Sequence, residues 1–352
     1  MKKIFLILLL ILLPMKINAF NLGKSAILME EDTKRILVSK DINSKRLIAS
    51  TTKIMTAVIA IESKKMDNIV TVGNEVLEAY GSSVYLKIGQ KIKLEDLVYG
   101  LLLRSGNDAA LAIQKYLGDE KFIIKMNEKA KKIGMKNTIF NNPHGLDEKT
   151  SNYSTAYDMA LLMRYANSLE MFKKISGTKK YKVKFDDVLH IWNNKNKLLK
   201  TYEFATGGKT GFTEKAGRTL VTSASKNGMN LIVVTLNDGN DFKNHKELYE
   251  YGFNNYRMIK VFDKNNIKIK NVYANDDFFY PLTEDEFNLI RIDYKILDKR
   301  KKDNNIGYAN VYLGNNLIHK EKLFSKQKIK NKKNTPLIKK IMIFLIDLYK
   351  IC

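Results

Sequence analysis

One cysteine occurs in 352 residues, and it is the last, Cys352. No internal disulfide is possible, so the fold has to rest on a hydrophobic core. A thiol so late and so isolated is no candidate nucleophile either. The four histidines, His144, His190, His245 and His319, are scattered along the chain. Without a Cys/His cluster, no zinc site is expected. Acid is in short supply too: 37 Asp and Glu face 61 Lys and Arg, a formal net charge of +24. No recognisable nucleic-acid reading module accompanies that charge, so nucleic acid is not an expected partner. Membrane and cell-wall polyanions are the expected ones. Internal repeats are absent. Apolar residues, by contrast, are plentiful: 45% of the chain is hydrophobic, with 18 Tyr and 16 Phe, enough to bury a sizeable core. The length suggests about two domains.

The two ends read as addresses rather than as fold. Lys2 and Lys3 precede an unbroken apolar run from Ile4 to Leu13, which Pro14 breaks, and Ala19 offers a small residue at a cleavage point before Phe20. The run is too short to cross ~30 Å of hydrocarbon as a helix. Residues 1–19 are therefore expected to be a signal peptide, with an uncleaved anchor or a buried strand as alternatives. At the other end, 321–336 is a lysine-dense linker. After Pro336, residues 337–352 place Lys339, Lys340, Asp347 and Lys350 in one sector of a helical wheel, with Leu337, Ile338, Ile341, Phe344 and Leu345 on much of the rest. That pattern fits an amphipathic helix lying in an anionic membrane surface; docking on the protein's own core is the alternative. The expected location is outside the cytoplasm, on the outer face of the cytoplasmic membrane or in the cell wall.

Residues 20–257 mix strands and helices. Ala26–Met29 and Arg35–Val38 read as a hairpin, and Thr52–Ser63, Leu94–Leu103, Ala109–Leu117 and Tyr157–Ala166 as helices. Arg218–Ser223 and Leu231–Leu236 read as adjacent strands joined at Lys226-Asn227-Gly228. Strands at both ends with helices between them predict an α+β layer in which the terminal strands share one antiparallel sheet. Residues 258–320 shift to short alternating runs, such as Ile267–Val272, Leu289–Tyr294 and Tyr308–Leu313, which predict a small all-β domain.

Ser-x-x-Lys is a weak signal in a lysine-rich chain, and it occurs at Ser50, Ser176, Ser223 and Ser325. Only Ser50–Lys53 is followed in order by Ser-x-Asn at Ser105–Asn107 and by Lys-Thr-Gly at Lys209–Gly211. A serine hydroxyl is a poor nucleophile until a nearby base takes its proton. Lys53, three residues into the helix, shares the face of Ser50. To act as that base it must have its charged form disfavoured, by burial and by a second cation such as Lys209. The helix N-terminus beside Ser50 places N–H groups where an oxyanion would develop. Ser105 and Asn107 lie in a turn between helices, where capping is the alternative reading. Lys209 and Thr210 offer a cation and a hydroxyl to a carboxylate, and Gly211 allows close backbone approach, although an ordinary strand end would read the same way.

These motifs, with Ala49–Thr56, Ser105–Ala110, Asn142-Pro143-His144-Gly145-Leu146 and Gly207–Thr213, resemble the low-molecular-weight penicillin-binding proteins, specifically the serine D-alanyl-D-alanine carboxypeptidases. The resemblance implies a penicillin-binding/β-lactamase-like transpeptidase domain, followed by the small β domain. It implies removal of the terminal D-alanine from peptidoglycan stem pentapeptides through an acyl-enzyme on Ser50, inhibited by β-lactams, without metal or organic cofactor. By the same resemblance Lys53 takes the serine proton, and Ser105 and Asn107 assist proton transfer and hold the peptide group. Lys209 and Thr210 bind the terminal carboxylate, and the N–H groups of Ser50 and Phe212 form the oxyanion hole. One departure stands out. Some family members carry an arginine after the last strand of this domain, whereas Asn237–Glu247 offers Lys243, His245 and Lys246 instead, with Arg218 as another candidate. A β-lactamase is the rival enzyme, but no Glu-x-x-Leu-Asn lies between Asn107 and Lys209. A wall-binding protein with a vestigial site is the non-enzymatic rival.

Truncation before Leu337 should move the protein from the membrane to the soluble fraction while activity on small peptides persists. An unchanged membrane fraction would put the anchor elsewhere.

Overall fold

A computed structural model of the chain describes residues 20–185, 188–297 and 305–325. The expected signal peptide (1–19), most of the basic linker and the amphipathic helix (337–352) lie outside the described residues. The central element is a five-stranded antiparallel sheet. Its strands are β1 (Ser25–Glu30), β2 (Ile36–Lys40), β3 (Ala205–Thr213), β4 (Gly217–Lys226) and β5 (Met229–Leu236), in the order β2-β1-β5-β4-β3. The two ends of the domain thus meet in one sheet, as the sequence predicts. The β4–β5 turn carries Asn227 at φ 51° and Gly228 at φ 78°, the two consecutive positive-φ residues that match a tight turn to strand twist.

Helices cover both faces. On one side lie α1 (Lys53–Glu62), α2 (Asn107–Leu117) and α3 (Ala156–Asn167), packed over Ile27, Met29, Val221, Ile232 and Val234. On the other lies α4 (Asp241–Asn255), over Leu28, Leu220, Leu231 and Val233. The alternation of β1 and β5 explains both contacts, because successive side chains serve opposite cores. Helix α1 is the innermost element, buried at every position from Lys53 to Ala60. An all-round apolar surface permits that, and Lys53 is its one charged exception.

Several elements differ from expectation. The helix at Leu94 ends as α-helix at Tyr99 and continues as a π turn, Gly100–Arg104. Lys209–Gly211 lies within an edge strand of its own, β3, which turns into the expected strand at Arg218. The hairpin Lys180–Phe185/Val188–Asn193 and helix α4 are not among the expected elements; in α4 the apolar residues are sparse and interleaved with lysine, asparagine and acid. In the small domain, Ile290–Ile296, Asn305–Leu313 and Asn316–Ser325 form an antiparallel run, to which the short strand Val272–Tyr273 adds a pairing; of the expected run Ile267–Val272 only Val272 takes part. Residues 321–325 belong to this sheet rather than to the linker, because the strand pairs with Asn305–Leu313 up to Phe324 and Leu323 is fully buried.

Arg35 joins the two domains. Its guanidinium donates to Pro281 O and to both oxygens of Glu286, with Tyr256 and Tyr280 on its flanks at 5.3 and 5.1 Å.

The start of α1 is held from outside by the 141–152 loop. Gly145, at φ 88°, sits so close that a Cβ would come within 1.9 Å of Ala49 O. Asn152 Nδ2 donates to Thr52 Oγ1 at 3.0 Å, and Thr56 Oγ1 to Pro143 O at 2.6 Å. Gly145→Ala should cost about 2–4 kcal/mol of stability through overpacking and positive-φ strain. The chain's single tryptophan, Trp192, is buried in this domain and reports the urea midpoint. A midpoint equal to wild type would mean that the loop is not seated against Ala49.

Candidate active site

Ser50 lies in a 3-10 turn, Ala49–Thr52, that runs straight into α1. Ala49 has φ 45°, a left-handed conformation unusual for a residue with a Cβ. The neighbouring contact with Gly145 requires it to be held there. Edge strand β3 closes on the same turn from the other side. A Cβ on Gly211 would come within 3.0 Å of Ser50 N and 3.1 Å of Thr51 N, so only glycine lets the strand lie against the serine's backbone.

Lys53 Nζ has three neighbours: Ser50 Oγ at 3.0 Å, Asn107 Oδ1 at 2.6 Å and His144 O at 2.6 Å. The orientation of the Asn107 amide follows from its other contact, because Nδ2 donates to Tyr80 O at 2.5 Å. Two carbonyl acceptors thus face the amine. A neutral amine has two N–H donors and one lone pair; with both donors spent on Asn107 and His144, the lone pair is left for the Ser50 hydroxyl. Charge supports the neutral form. Burial first, then Lys209 and Lys195, push the Lys53 ammonium well below its usual range, and Asp108 opposes them. His144 is pushed down to about 3, chiefly by burial.

Asn107 begins α2, and Ser105 precedes it at φ 65°, at the end of the π turn. The local strain is held by Asp108, whose carboxylate accepts from Ser83 Oγ, Val84 N and Leu86 N at 2.5–3.1 Å. That ties the 80–86 loop, and with it Tyr80 and Ser82, to the site. Lys209, buried in β3, has Nζ 3.0 Å from Ser105 Oγ and donates to Thr210 O at 2.6 Å. Burial and Lys195 lower its pKa to about 7. Ser50, Ser105, Thr210, Gly211, Phe212 and Arg218 line one cleft of about 370 Å³. All eight sequence-predicted site residues therefore converge: Lys53, Asn107 and Lys209 lie beneath the cleft, and the others on its walls.

Three further participants escaped the motif reading. The carbonyl of His144 is a backbone group, which side-chain chemistry does not reveal. Ser82 and Lys195 are joined across the mouth at 2.8 Å, a pairing of residues 113 apart in sequence. Among the candidates for an extra carboxylate ligand, His245 is excluded. It is fully buried behind the sheet between Thr222 and Thr235. Lys243 is exposed and pairs with Glu247 at 3.7 Å.

A serine seated on a buried lysine, opposite a strand-borne lysine and glycine, defines an active-site-serine acyl transferase of mixed sheet-and-helix fold. The D-alanyl-D-alanine carboxypeptidase family model matches residues 17–240, and the model of the penicillin-binding protein 5 C-terminal domain matches residues 245–331. D-alanyl-D-alanine carboxypeptidase DacF of Bacillus subtilis is 32% identical over 295 residues, covering 80% of this chain and 74% of that protein. DacC of Escherichia coli is 35% identical over 254 residues, covering 67% of this chain and 62% of that protein. The crystal structure of penicillin-binding protein 5 from Haemophilus influenzae superposes with a TM-score of 0.75 at 26% identity, covering 86% of this chain and 96% of that one. The chain belongs to the serine D-alanyl-D-alanine carboxypeptidase family of low-molecular-weight penicillin-binding proteins.

Lys209 carries a pH signature. Unfolded, the side chain keeps its proton up to about 10.4; folded, only to about 7. Between those values the unfolded state binds more protons, so stability rises with pH across the window. Lys209→Met should lose this contribution, and the wild-type urea midpoint should gain on that of the variant from pH 7 to pH 9. Parallel pH dependences would show that Lys209 keeps its proton when folded.

Proposed function

We propose that this enzyme hydrolyses the terminal D-alanine of peptidoglycan stem pentapeptides with Ser50 as nucleophile and Lys53 as base. Family membership supports the reaction and the binding of β-lactams. The observation that supports the roles is the seat of Lys53 Nζ, whose two donors are occupied by carbonyls and whose remaining direction meets Ser50 Oγ at 3.0 Å. Ser50 Oγ attacks the carbonyl of the penultimate D-alanine as its proton passes to Lys53. The negative oxygen so formed lies between the N–H groups of Ser50 and Phe212, a placement that the close packing at Gly211 favours. Collapse breaks the peptide bond. The leaving amine takes a proton relayed through Ser105 from Lys53, and D-alanine departs. Water then attacks the ester, giving its proton to Lys53; the bond to Ser50 Oγ breaks, the shortened peptide leaves as its carboxylate, and Ser50 regains its proton from Lys53. The Asn107 amide is committed to Lys53 and to Tyr80 O, so it serves the reaction by orienting Lys53, and Lys209 and Thr210 form the wall that meets the substrate's terminal carboxylate.

The related carboxypeptidases act on the cell wall, outside the cytoplasm. The finer placement belongs to this proposal: export through residues 1–19 and attachment to anionic lipid through residues 337–352. Among the described residues no helix is long and apolar enough to cross a membrane.

Ser50→Ala should abolish labelling by fluorescent penicillin and lower D-alanine release from diacetyl-Lys-D-Ala-D-Ala by at least about 10³-fold. Label retained by the variant would remove Ser50 from its role. Rapid turnover of a chromogenic lactam by the wild type, without D-alanine release, would favour the β-lactamase reading instead.

A further inference from the structure

We propose that Arg218 supplies the charge that holds the substrate's terminal carboxylate, and that Asp241 is the positioning residue that holds Arg218 for it. This rests on the carboxypeptidase reading and assigns the part of the site that the lysine motif leaves incomplete. Lys209 is poorly suited to supply a full charge. Its Nζ is committed to Thr210 O and to Ser105 Oγ, and a lysine brought down to about 7 is only partly protonated at neutral pH. Lys195 spends its ammonium on Ser82 Oγ, and burial and Arg104 depress it too. A guanidinium, by contrast, keeps its charge in such surroundings and offers five donors in a planar fork.

The sheet aims Arg218 at the right place. Arg218 of β4 pairs directly with Phe212 of β3, and Thr210 is two residues from Phe212 on the same strand. By strand alternation all three side chains leave the sheet on one face, with Arg218 on the diagonal from Thr210. That spacing is about 7–8 Å between backbones, within reach of a long side chain, and both residues line the cleft that contains Ser50. Arg218 is braced by Asp241 and Phe242, which line the same cleft. Nη2 donates to Asp241 Oδ1 at 2.7 Å, and the guanidinium lies 5.5 Å from the Phe242 ring. Asp241 is itself buried in the first turn of α4, its Oδ1 also accepting from Phe242 N at 2.8 Å. The Arg218 side chain remains 43% exposed, so the bond to Asp241 leaves it accessible from the cleft that it lines. A carboxylate between Thr210 and Arg218 would meet a hydroxyl and a charged fork at once.

The test compares diacetyl-Lys-D-Ala-D-Ala with the same peptide carrying a C-terminal amide. Wild type should prefer the free acid. Arg218→Ala should lower kcat/KM on the free acid by about 10- to 100-fold, mainly through KM, and leave the amide within about threefold, so that the preference collapses. Arg218→Lys should recover part of it, and Asp241→Asn should lose part, in the same acid-selective way. Arg218→Gln serves where the alanine variant is unstable, with the Trp192 urea midpoint as the check on folding. Equal losses on acid and amide would make Arg218 merely structural and overturn the proposal, as would an undiminished preference for the acid. Wild type that releases D-alanine or its amide from neither peptide would instead overturn the carboxypeptidase reading, and this assignment with it.

Discussion

Everything in the proposed mechanism depends on keeping an amine neutral on the buried stretch of a helix, Lys53–Ala60. Lys53 is fully buried on α1, and a lone ammonium there would carry a large desolvation penalty. The fold lessens that penalty by disfavouring the charged form. Burial, Lys209 and Lys195 all push in the same direction. The carbonyls of Asn107 and His144 then take both N–H groups of the free base. What remains is a lone pair with one direction open to it, and Ser50 occupies that direction.

That arrangement explains why so much of the surrounding structure is unusual. His144 reaches the amine through its carbonyl because the 141–152 loop is pressed against Ala49, which requires glycine at 145. Asn107 presents its oxygen because Tyr80 O accepts from its nitrogen, and Tyr80 is within reach because Asp108 gathers the 83–86 backbone. Gly211 brings the edge strand against Ser50 from the opposite wall. Residues left-handed at 49 and 105 sit on either side of the amine. Strain of this kind persists only where the surroundings over-determine it, and here each strained residue is gripped by a separate loop.

Much of this was legible beforehand, for identifiable reasons. The shared terminal sheet follows from strand periodicity at both ends of the domain, and the β4–β5 turn from Asn227-Gly228. Ser50–Lys53 stood out from three equivalent pairs because two other motifs follow it in order. Less legible was anything carried by the backbone or by sparse patterns. The π turn at Gly100–Arg104 differs from an α-helix by one residue of hydrogen-bond offset, which apolar spacing does not register. Helix α4 is rich in lysine, asparagine and acid, so its buried stripe of Leu248, Tyr249 and Phe253 is easily missed. The extension of the last strand to Ser325 likewise ran through residues that look like linker.

The sequence alone determined the chemistry available: a serine, a lysine three residues on, a second lysine on a later segment, and glycine where backbones must meet. Order along the chain and residue type suffice for that, because the reacting groups are side chains with fixed intrinsic properties. Tertiary structure decided their states. Whether a lysine is base or cation depends on burial and on neighbours 54, 91 and 156 residues away, and whether an arginine reaches the cleft depends on strand register. Both are properties of packing, which linear order cannot express.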